Sequence, residues 1–502
     1  MPTAADAQLR TRLRRIATLG SVAALTGWDE QVMMPPGGTA FRAEQAAMLA
    51  GMVHEQTIDP ALGDAIAAAE AEATAAPDSD AAVVAREARR ARDRAVKLPA
   101  SLVEALTHTT VLAQAEWAEA RKASDFARFE LWLTKVIDLK RQEAACLADG
   151  GVLYDALLDD YEPGETTASL TRLFDAMRPR LVDLVARIAA SDRRPKTDLL
   201  RRHYDPAAQA ALATAATEAI GFDTSGGRLD VSTHPFCSGI APGDTRITTR
   251  YGTNDFAGGL LGTLHETGHA MYEQGLPKAE QFGNALSEAA SLGVHESQSR
   301  LWENFVGRSA AFWNHFWPRT RSAFPSSLGN VDAGDFLFAL NAVRPSYIRT
   351  ESDEATYNLH ILLRFDLEQK LINGGLAPAD VPEAWDTLFQ DLFGIDVPDA
   401  AQGVLQDVHW SCGLVGYFPT YALGNMYAAQ LFEAAGRALG DLDAQIARGE
   451  FAPLLNWLRE NIHRHGRRYY ARELCQRATG SALSPDALLK HLERKAATYY
   501  GV

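Results

Sequence analysis

The sequence predicts a mainly α-helical protein with one small β-sheet, and two observations support this fold class. In most segments of the 502-residue chain, apolar residues recur every three or four positions, as they do on one face of an amphipathic helix. Residues 226–252 differ, because they combine Gly- and Pro-bearing turns with short β-favouring runs, of which RITTRY (246–251) is the clearest. We expect these runs to form a small antiparallel sheet.

Predicted helices follow one another along most of the chain. The segments 169–191 and 354–375 are regular examples, and the second ends in Asn-Gly-Gly, a typical helix stop. Similar patterns predict helices over 4–26, 39–75, 79–121, 124–148, 204–219, 379–394, 417–447 and 485–499. The sequence contains no linker long enough to force separate domains and no internal repeat, so we expect a single domain over 1–502.

Composition narrows the class of protein. The net charge of −15 gives an acidic surface, which disfavours nucleic acid and anionic membranes as partners. A hydrophobic content of 47% is enough for a large buried core. The cysteines are far apart and follow no C-x-x-C spacing, which favours a reduced cytoplasmic protein over a disulfide scaffold. They are Cys146, Cys237, Cys412 and Cys475.

The N-terminal segment has the outline of a signal peptide, because arginines precede a mildly apolar run. That run is interrupted by Thr18, Gly20 and Ser21, and its apolar residues recur at helical spacing. We therefore expect an amphipathic helix. No stretch approaches the roughly 20 apolar residues that a membrane span needs.

One helical segment carries the pattern His-Glu-x-x-His at residues 265–269. Residues four apart lie on one face of a helix, so His265 and His269 can present two imidazoles to one metal ion. Glu266 lies beside that face, where it can hold a metal-bound water. The alternative is an ordinary helix that happens to carry two histidines. The predicted sheet lies immediately before this helix, and in many zinc peptidases such a strand binds the substrate backbone.

A catalytic zinc needs a third protein ligand, and spacing alone does not identify it. The metzincin extension requires Gly and His after the second histidine, but the sequence has Tyr and Gly there, which excludes that class. The next segment offers Glu288, Glu296 and Glu303. Glu288 resembles the third-ligand context of thermolysin-like enzymes, whereas we expect Glu303 to face solvent.

Several sequence blocks together resemble a known family. They are WDEQVMMPPGGTAFRAEQ (28–45), YDALLDDYEPG (154–164), HPF (234–236), DTRIT (244–248), HETGH (265–269), HESQSRLWEN (295–304), IRTESDEATYNLHILLRFDLE (348–368), GVLQDVHW (403–410) and GYFPTYALGN (416–425). With these blocks in order over nearly the whole chain, the sequence resembles the carboxypeptidase Taq family, the M32 metallocarboxypeptidases. In one block Ser352 stands where the family has alanine, a change that we expect to be tolerated.

The resemblance implies a large helical gluzincin-type metallopeptidase whose two lobes line a deep groove, with the small sheet next to the metal helix. It also implies that Glu296 is the third metal ligand beside His265 and His269, which leaves Glu288 a structural role. Two His and one Glu favour zinc, although cobalt or manganese could occupy such a site. The family commonly forms homodimers.

The implied reaction removes single C-terminal amino acids from peptides with broad specificity, by a metal-activated water with Glu266 as general base. The resemblance assigns stabilisation of the oxyanion to His409 and to a tyrosine, Tyr421 in first place and Tyr417 in second. The alternative for either tyrosine is a buried aromatic ring with a satisfied hydroxyl.

Binding of the substrate carboxylate calls for an arginine, because its planar fork matches a carboxylate. Arg349 is the first candidate and Arg246 the second. The alternative for each is an ion pair within its own motif, with Asp353 and Asp244 respectively. We further expect His234 to line the groove, and we expect Gln406 and Asp407 to position His409.

Two other functions stay open at this point. The first is a related helical zinc oligopeptidase or dipeptidyl carboxypeptidase, which would release different products. The second is a catalytically inactive helical scaffold. The second is disfavoured because each expected catalytic position is filled: His265, Glu266, His269, Glu296, His409 and Tyr421.

Overall fold

The computed structural model describes residues 3–74 and 76–502. The described residues form two compact units, each built from three separate segments. The first unit takes its described residues from Met1–Val96, Lys196–Leu340 and Gln430–Ala482, and the second from Lys97–Pro195, Asn341–Ala429 and Leu483–Val502. That these units are the two lobes of one peptidase domain stays a prediction.

Helices make up most of both units. In chain order they are α1 (Ala4–Val32), α2 (Thr39–Ile58), α3 (Pro60–Ala73), α4 (Asp80–Lys97), α5 (Ala100–Ala123), α6 (Phe126–Leu147), α7 (Leu153–Leu158), α8 (Thr167–Ala190), α9 (Pro206–Ile220), α10 (Phe256–Gly275), α11 (Lys278–Gln281), α12 (Leu292–Arg300), α13 (Ala310–Ala323), α14 (Pro325–Leu328), α15 (Ala333–Leu340), α16 (Thr356–Ile372), α17 (Val381–Phe393), α18 (Pro419–Leu439), α19 (Leu442–Ala447), α20 (Ala452–Asn461), α21 (Ala471–Thr479) and α22 (Asp486–Tyr500). The predicted mainly α fold is confirmed.

Two of the long predicted helices are each broken near a proline. The segment 39–75 forms α2 and α3, and α3 begins at Pro60. The segment 79–121 forms α4 and α5, and Pro99 precedes α5. Proline lacks an N–H and its ring crowds the preceding turn, so it favours the start of a helix over its interior. The predicted end at Ala75 lies outside the described residues.

A third predicted helix, 417–447, is also two helices. The chain leaves α18 at Gly440, whose φ of 81° lies in the left-handed region that favours glycine. The other predicted helices are confirmed with ends that move by a few residues. The exception is α1, which continues to Val32 instead of ending at residue 26.

The small predicted sheet lies in the first unit and has strands β1 (Gly227–Val231), β2 (Cys237–Ala241) and β3 (Asp244–Thr249). The strand order is β1-β3-β2, with β2 antiparallel to β3 and β1 parallel to β3. The sheet is therefore mixed, whereas the sequence predicted an antiparallel one. The difference arises because the tight turn at Gly243 folds β3 back between the two earlier strands, where it runs in the same direction as β1.

A cluster of aromatic rings holds the start of α10 in the first unit. The Phe256 ring lies 5.0 Å from Tyr204, 5.8 Å from Phe324 and 5.5 Å from Phe336, measured between centroids. Asp255 caps the helix by accepting a hydrogen bond from the Gly258 N–H at 2.9 Å. These contacts fix the helix that carries the His-Glu-x-x-His motif.

Two further predictions can be compared with the structure. No helix in residues 3–74 and 76–502 is both long and apolar enough to cross a membrane. Within the same residues all four cysteines are free thiols, and the reduced cytoplasmic location stays a prediction.

Candidate metal centre

Helices α10 and α12 bring the predicted metal ligands together. His265 and His269 lie one turn apart on α10, which packs against α12, the helix that carries Glu296. The packing is close because Gly268 has no side chain, and a Cβ there would lie 2.4 Å from the carbonyl oxygen of Gln298. This near contact between backbones allows Glu296 to lie opposite the two histidines.

The three side chains direct one ligand atom each toward a common point. Glu296 Oε2 lies 3.7 Å from His265 Nε2 and 3.4 Å from His269 Nε2. The three ligand atoms all lie within 4.8 Å of one another. Donors that each lie about 2 Å from one tetrahedral ion are about 3–3.5 Å apart, so this arrangement fits a metal ion.

Glu303 holds His265 in the orientation that metal binding needs. The Glu303 carboxylate lies 2.9 Å from His265 Nδ1, 3.2 Å from Arg300 and 3.6 Å from Arg308. A protonated Nδ1 that donates to this carboxylate leaves the Nε2 lone pair directed toward Glu296. Burial alone would raise the pKa of Glu303, but Arg300 and His265 outweigh it and lower that pKa to about 2.

The expectation that Glu303 faces solvent is therefore wrong. Its side chain is 13% exposed. The physical reason is a π-helical turn, Leu301–Val306, which directly follows α12. A π turn holds more residues per turn than an α-helix and rotates the side chains that follow, so α-helical spacing misplaces this glutamate.

His295 holds the second histidine. His269 Nδ1 lies 3.1 Å from the His295 carbonyl oxygen and 2.6 Å from the His295 ring Nδ1. Burial, followed by the neighbouring His295, lowers the pKa of His269 to about 4. A neutral imidazole whose Nδ1 carries the proton has its Nε2 free to bind a metal.

Both carboxylate oxygens of Glu296 accept hydrogen bonds from residues that follow it in the chain. Arg300 Nε donates to Glu296 Oε1 at 2.7 Å, and Ser299 Oγ donates to Oε2 at 3.1 Å. Burial would raise the pKa of Glu296, but Arg300 and His265 outweigh it and hold that pKa well below its ordinary value. The ligand is therefore ionised and oriented.

Glu266 is buried beside the three ligand residues. Burial is the largest effect on its carboxyl group and raises the pKa to about 7, although His265 acts in the opposite direction. A carboxyl group with a pKa near neutrality can both accept and release a proton. The alternative ligand Glu288 is half exposed, lies 3.4 Å from Arg467 and is not among the residues whose ligand atoms converge.

The second unit brings together three other predicted residues. His409 Nε2 lies 3.3 Å from the hydroxyl of Tyr421. The Tyr417 ring lies 5.5 Å from the His409 ring and 5.4 Å from the Tyr421 ring. Burial lowers the pKa of His409 to about 4. The neutral imidazole and the tyrosine hydroxyl can both donate hydrogen bonds.

Arg349 is buried in the same unit and forms an ion pair, but with Asp407 and not with Asp353, the partner that the alternative interpretation gave it. Its Nε and Nη2 donate to Asp407 Oδ1 at 3.0 and 2.8 Å, and its Nη1 donates to Tyr357 at 2.8 Å. Asp353 instead accepts backbone N–H groups at the start of α16. Asp407 Oδ1 also lies 3.8 Å from His409 Nδ1 and favours the protonated ring through its charge, and the expected positioning of His409 by Asp407 stays a prediction.

Arg246 has the ion pair that its motif suggested. It donates to both oxygens of Asp244 at 2.8 and 2.9 Å, and its guanidinium lies 4.2 Å from the centre of the Trp28 ring. His234 lies in the connection between β1 and β2 with an exposed side chain. The binding roles of these residues stay predictions.

Comparison with known proteins agrees with these observations. Residues 8–496 match the family model described as carboxypeptidase Taq (M32) metallopeptidase. This chain belongs to the M32 family. One M32 relative is thermostable carboxypeptidase 1 of Thermus thermophilus, which is 48% identical over 510 residues and covers 100% of both chains. Carboxypeptidase 1 of Bacillus subtilis is 36% identical over 489 residues and covers 97% of each chain.

The fold of this M32 chain is also similar to solved structures. The crystal structure of an M32 carboxypeptidase from Deinococcus radiodurans R1 superposes with a TM-score of 0.96 at 38% identity, over 100% of both chains. The chain is therefore a metallocarboxypeptidase with a helical fold. Its family implies a divalent metal, and the donor set of His265, His269 and Glu296 fits one.

We expect Glu303→Ala to weaken metal binding by about 10–100-fold, because loss of an outer carboxylate frees the ring orientation and tautomer of a ligand histidine. The measurement is the zinc dissociation constant from a competition titration. Glu351→Ala, which changes a glutamate in the second unit, is the control and should leave the constant unchanged. Unchanged zinc affinity in Glu303→Ala would show that this carboxylate does not support His265.

Proposed function

We propose that this M32 chain is a zinc-dependent carboxypeptidase that removes single C-terminal amino acids from peptides with broad specificity. The supporting observation is that His265, His269 and Glu296 converge their ligand atoms within 4.8 Å. Glu266 is buried directly beside them with a pKa of about 7. Two His, one Glu and an adjacent general base are the parts that a hydrolytic zinc site needs.

The residues of the centre have separate tasks. A zinc ion held there would polarise a carbonyl group and lower the pKa of water. Glu266 accepts the proton of the attacking water and later donates it to the leaving amine, a use of one carboxyl group that its raised pKa favours. Glu303 and His295 keep the two ligand rings oriented.

Two residues of the second unit are proposed to act on the oxyanion. Family resemblance assigns this task to His409 and Tyr421, whose side chains lie 3.3 Å apart. Burial keeps His409 neutral at physiological pH, so one ring nitrogen is a hydrogen-bond donor. Donors of this kind stabilise charge that develops in the transition state. Tyr417 is the second candidate for the tyrosine.

The substrate carboxylate is proposed to bind Arg349, with Arg246 as the alternative. Both arginines already have a carboxylate partner, Asp407 and Asp244 respectively. Arg349 is the more buried of the two, with a side chain that is 5% exposed against 17% for Arg246. A charge-assisted hydrogen bond is stronger in such a desolvated place, which favours Arg349.

The function can be tested by mass spectrometry of an N-blocked octapeptide incubated with the purified protein. We expect a ladder of products that lose one residue at a time from the C-terminus. A chelator should abolish the ladder, and added zinc should restore it, with cobalt and manganese tested in parallel.

Other products would contradict the proposal. Loss of two residues per step would indicate a dipeptidyl carboxypeptidase, and internal cuts would indicate an oligopeptidase. An intact peptide in the presence of every metal would indicate an inactive scaffold. A homodimer and a cytoplasmic location stay predictions.

A further inference from the structure

A hydrogen-bonded chain leads from the ligand His269 through His295 to the edge strand β2, and the proposed function uses only its first link, His295. Glu273 lies one turn after His269 on α10, and its Oε1 is 2.8 Å from His295 Nε2. Its Oε2 forms an ion pair with Lys278, the first residue of α11. Lys278 Nζ also donates to the carbonyl oxygen of Gly239 in β2 at 3.1 Å.

We infer that Glu273 and Lys278 are positioning residues that hold His269 in its metal-binding tautomer and link it to β2. The inference rests on the proposed metal centre. Both side chains are largely buried, with 16% and 11% of their surfaces exposed. A buried carboxylate and a buried ammonium persist only when paired and hydrogen-bonded, and each of these makes such contacts.

The hydrogen bonds from Glu273 through His295 to His269 determine which ring nitrogen carries the proton in each of the two histidines. A carboxylate only accepts hydrogen bonds, so Glu273 requires the proton of His295 to lie on Nε2. A neutral His295 then has a bare Nδ1, which accepts from the Nδ1–H of His269 across 2.6 Å. His269 is left with a bare Nε2, the atom that lies 3.4 Å from Glu296 Oε2.

Without the carboxylate of Glu273, the opposite arrangement becomes accessible. His295 can carry its proton on Nδ1, where it points at His269 Nδ1. His269 then keeps its own proton on Nε2 and loses the lone pair that binds the metal. The carbonyl oxygen of His295, 3.1 Å from His269 Nδ1, still favours the productive tautomer, so we expect a partial loss of affinity.

Because Gly239 has no side chain, the backbone of β2 can lie directly against the ion pair of Glu273 and Lys278. A Cβ at this position would lie 2.1 Å from Glu273 Oε2 and 2.6 Å from Lys278 Nζ. The backbone of β2 therefore packs directly on the ion pair. Any side chain added at Gly239 must displace one of the two charged groups. A substitution at this strand residue should therefore weaken metal binding.

The test is the zinc dissociation constant of metal-free protein reloaded in a competition titration. Glu273→Gln is expected to weaken binding by about 10–100-fold, the usual effect of losing a group that orients a ligand histidine. Lys278→Met and Gly239→Ala should weaken it in the same direction. The control is Lys196→Met, which removes an exposed ion pair with Asp335 in the same unit and should have no effect.

A second readout separates positioning from simple loss of stability. Nitrogen NMR of ¹⁵N-histidine-labelled, metal-free protein should report His269 protonated on Nδ1 in the wild type. Glu273→Gln should shift it toward Nε2 protonation. The inference is overturned if zinc affinity is unchanged in Glu273→Gln. It is also overturned if affinity falls while the His269 tautomer stays the same.

Both measurements are independent of peptide cleavage. A wild-type protein that binds zinc at this centre but cleaves no peptide would contradict the proposed function and leave the inference intact. If the wild-type protein cleaves peptides but its zinc affinity is unchanged by substitution of Glu273 or Lys278, the inference is overturned and the proposed function stands.

Discussion

Replacing Glu266 with glutamine is expected to lower kcat by about 10²–10⁴-fold, the usual contribution of a general base. Glutamine has nearly the same shape but cannot accept the proton of water. The side chain binds no metal in the proposed centre, so zinc content should stay at one ion per chain. The measurement is steady-state hydrolysis of a blocked dipeptide together with the zinc content of the same sample.

The control for this substitution is Glu288→Gln. Glu288 was the alternative ligand from spacing, but it is half exposed and paired with Arg467. We expect its kcat to match the wild type. Equal activity in Glu266→Gln and wild type would remove Glu266 from the mechanism, whereas loss of zinc from Glu266→Gln would make it a ligand or a structural residue.

Replacing Asp407 with asparagine is expected to lower the free energy of unfolding by about 3–5 kcal/mol, because it leaves buried arginines without a counter-ion. Asp407 accepts from Arg349 at 2.8 Å and from Arg364 at 2.6 Å, and its side chain is 12% exposed. The measurement is urea unfolding at pH 7. Asp486→Asn, which changes an exposed carboxylate in the second unit, should cost less than about 1 kcal/mol.

The stabilisation by Asp407 should depend on pH with a definite sign. Burial would raise its pKa, but Arg364 and Arg349 outweigh it and hold the pKa well below the ordinary value of 3.8. A pKa that is lowered by folding stabilises the protein above the ordinary value, and this contribution shrinks as the pH falls below it. The difference between wild type and Asp407→Asn should therefore narrow below pH 3.8. A difference that is constant from pH 7 to pH 3 would contradict the ion pair.

The metal motif itself could be predicted from local spacing, because two residues four apart on a helix share a face whatever the rest of the fold does. The third ligand could not be predicted from spacing. Glu296 lies on another helix, and its selection over Glu288 came from family resemblance. Its position opposite the histidines depends on Gly268 of α10. A Cβ at that residue would lie 2.4 Å from the carbonyl oxygen of Gln298 in α12, so only glycine allows the two helices to pack this closely.

The residues that the sequence misplaced depend on irregular or long-range structure. The π turn at Leu301–Val306 brings Glu303 under His265, and α-helical spacing gives no signal of it. Asp407 lies 58 residues beyond its partner Arg349, so a search within the motif found Asp353 instead. Long-range pairs of this kind are set by tertiary packing, which local periodicity does not report.

The most direct test of the metal centre is anomalous scattering at the zinc edge from crystals of zinc-loaded protein. We predict one strong peak within about 2.0–2.2 Å of His265 Nε2, His269 Nε2 and a carboxylate oxygen of Glu296. A peak at another place, ligation through the Nδ1 atom of either histidine, or no peak after loading would contradict the proposed centre.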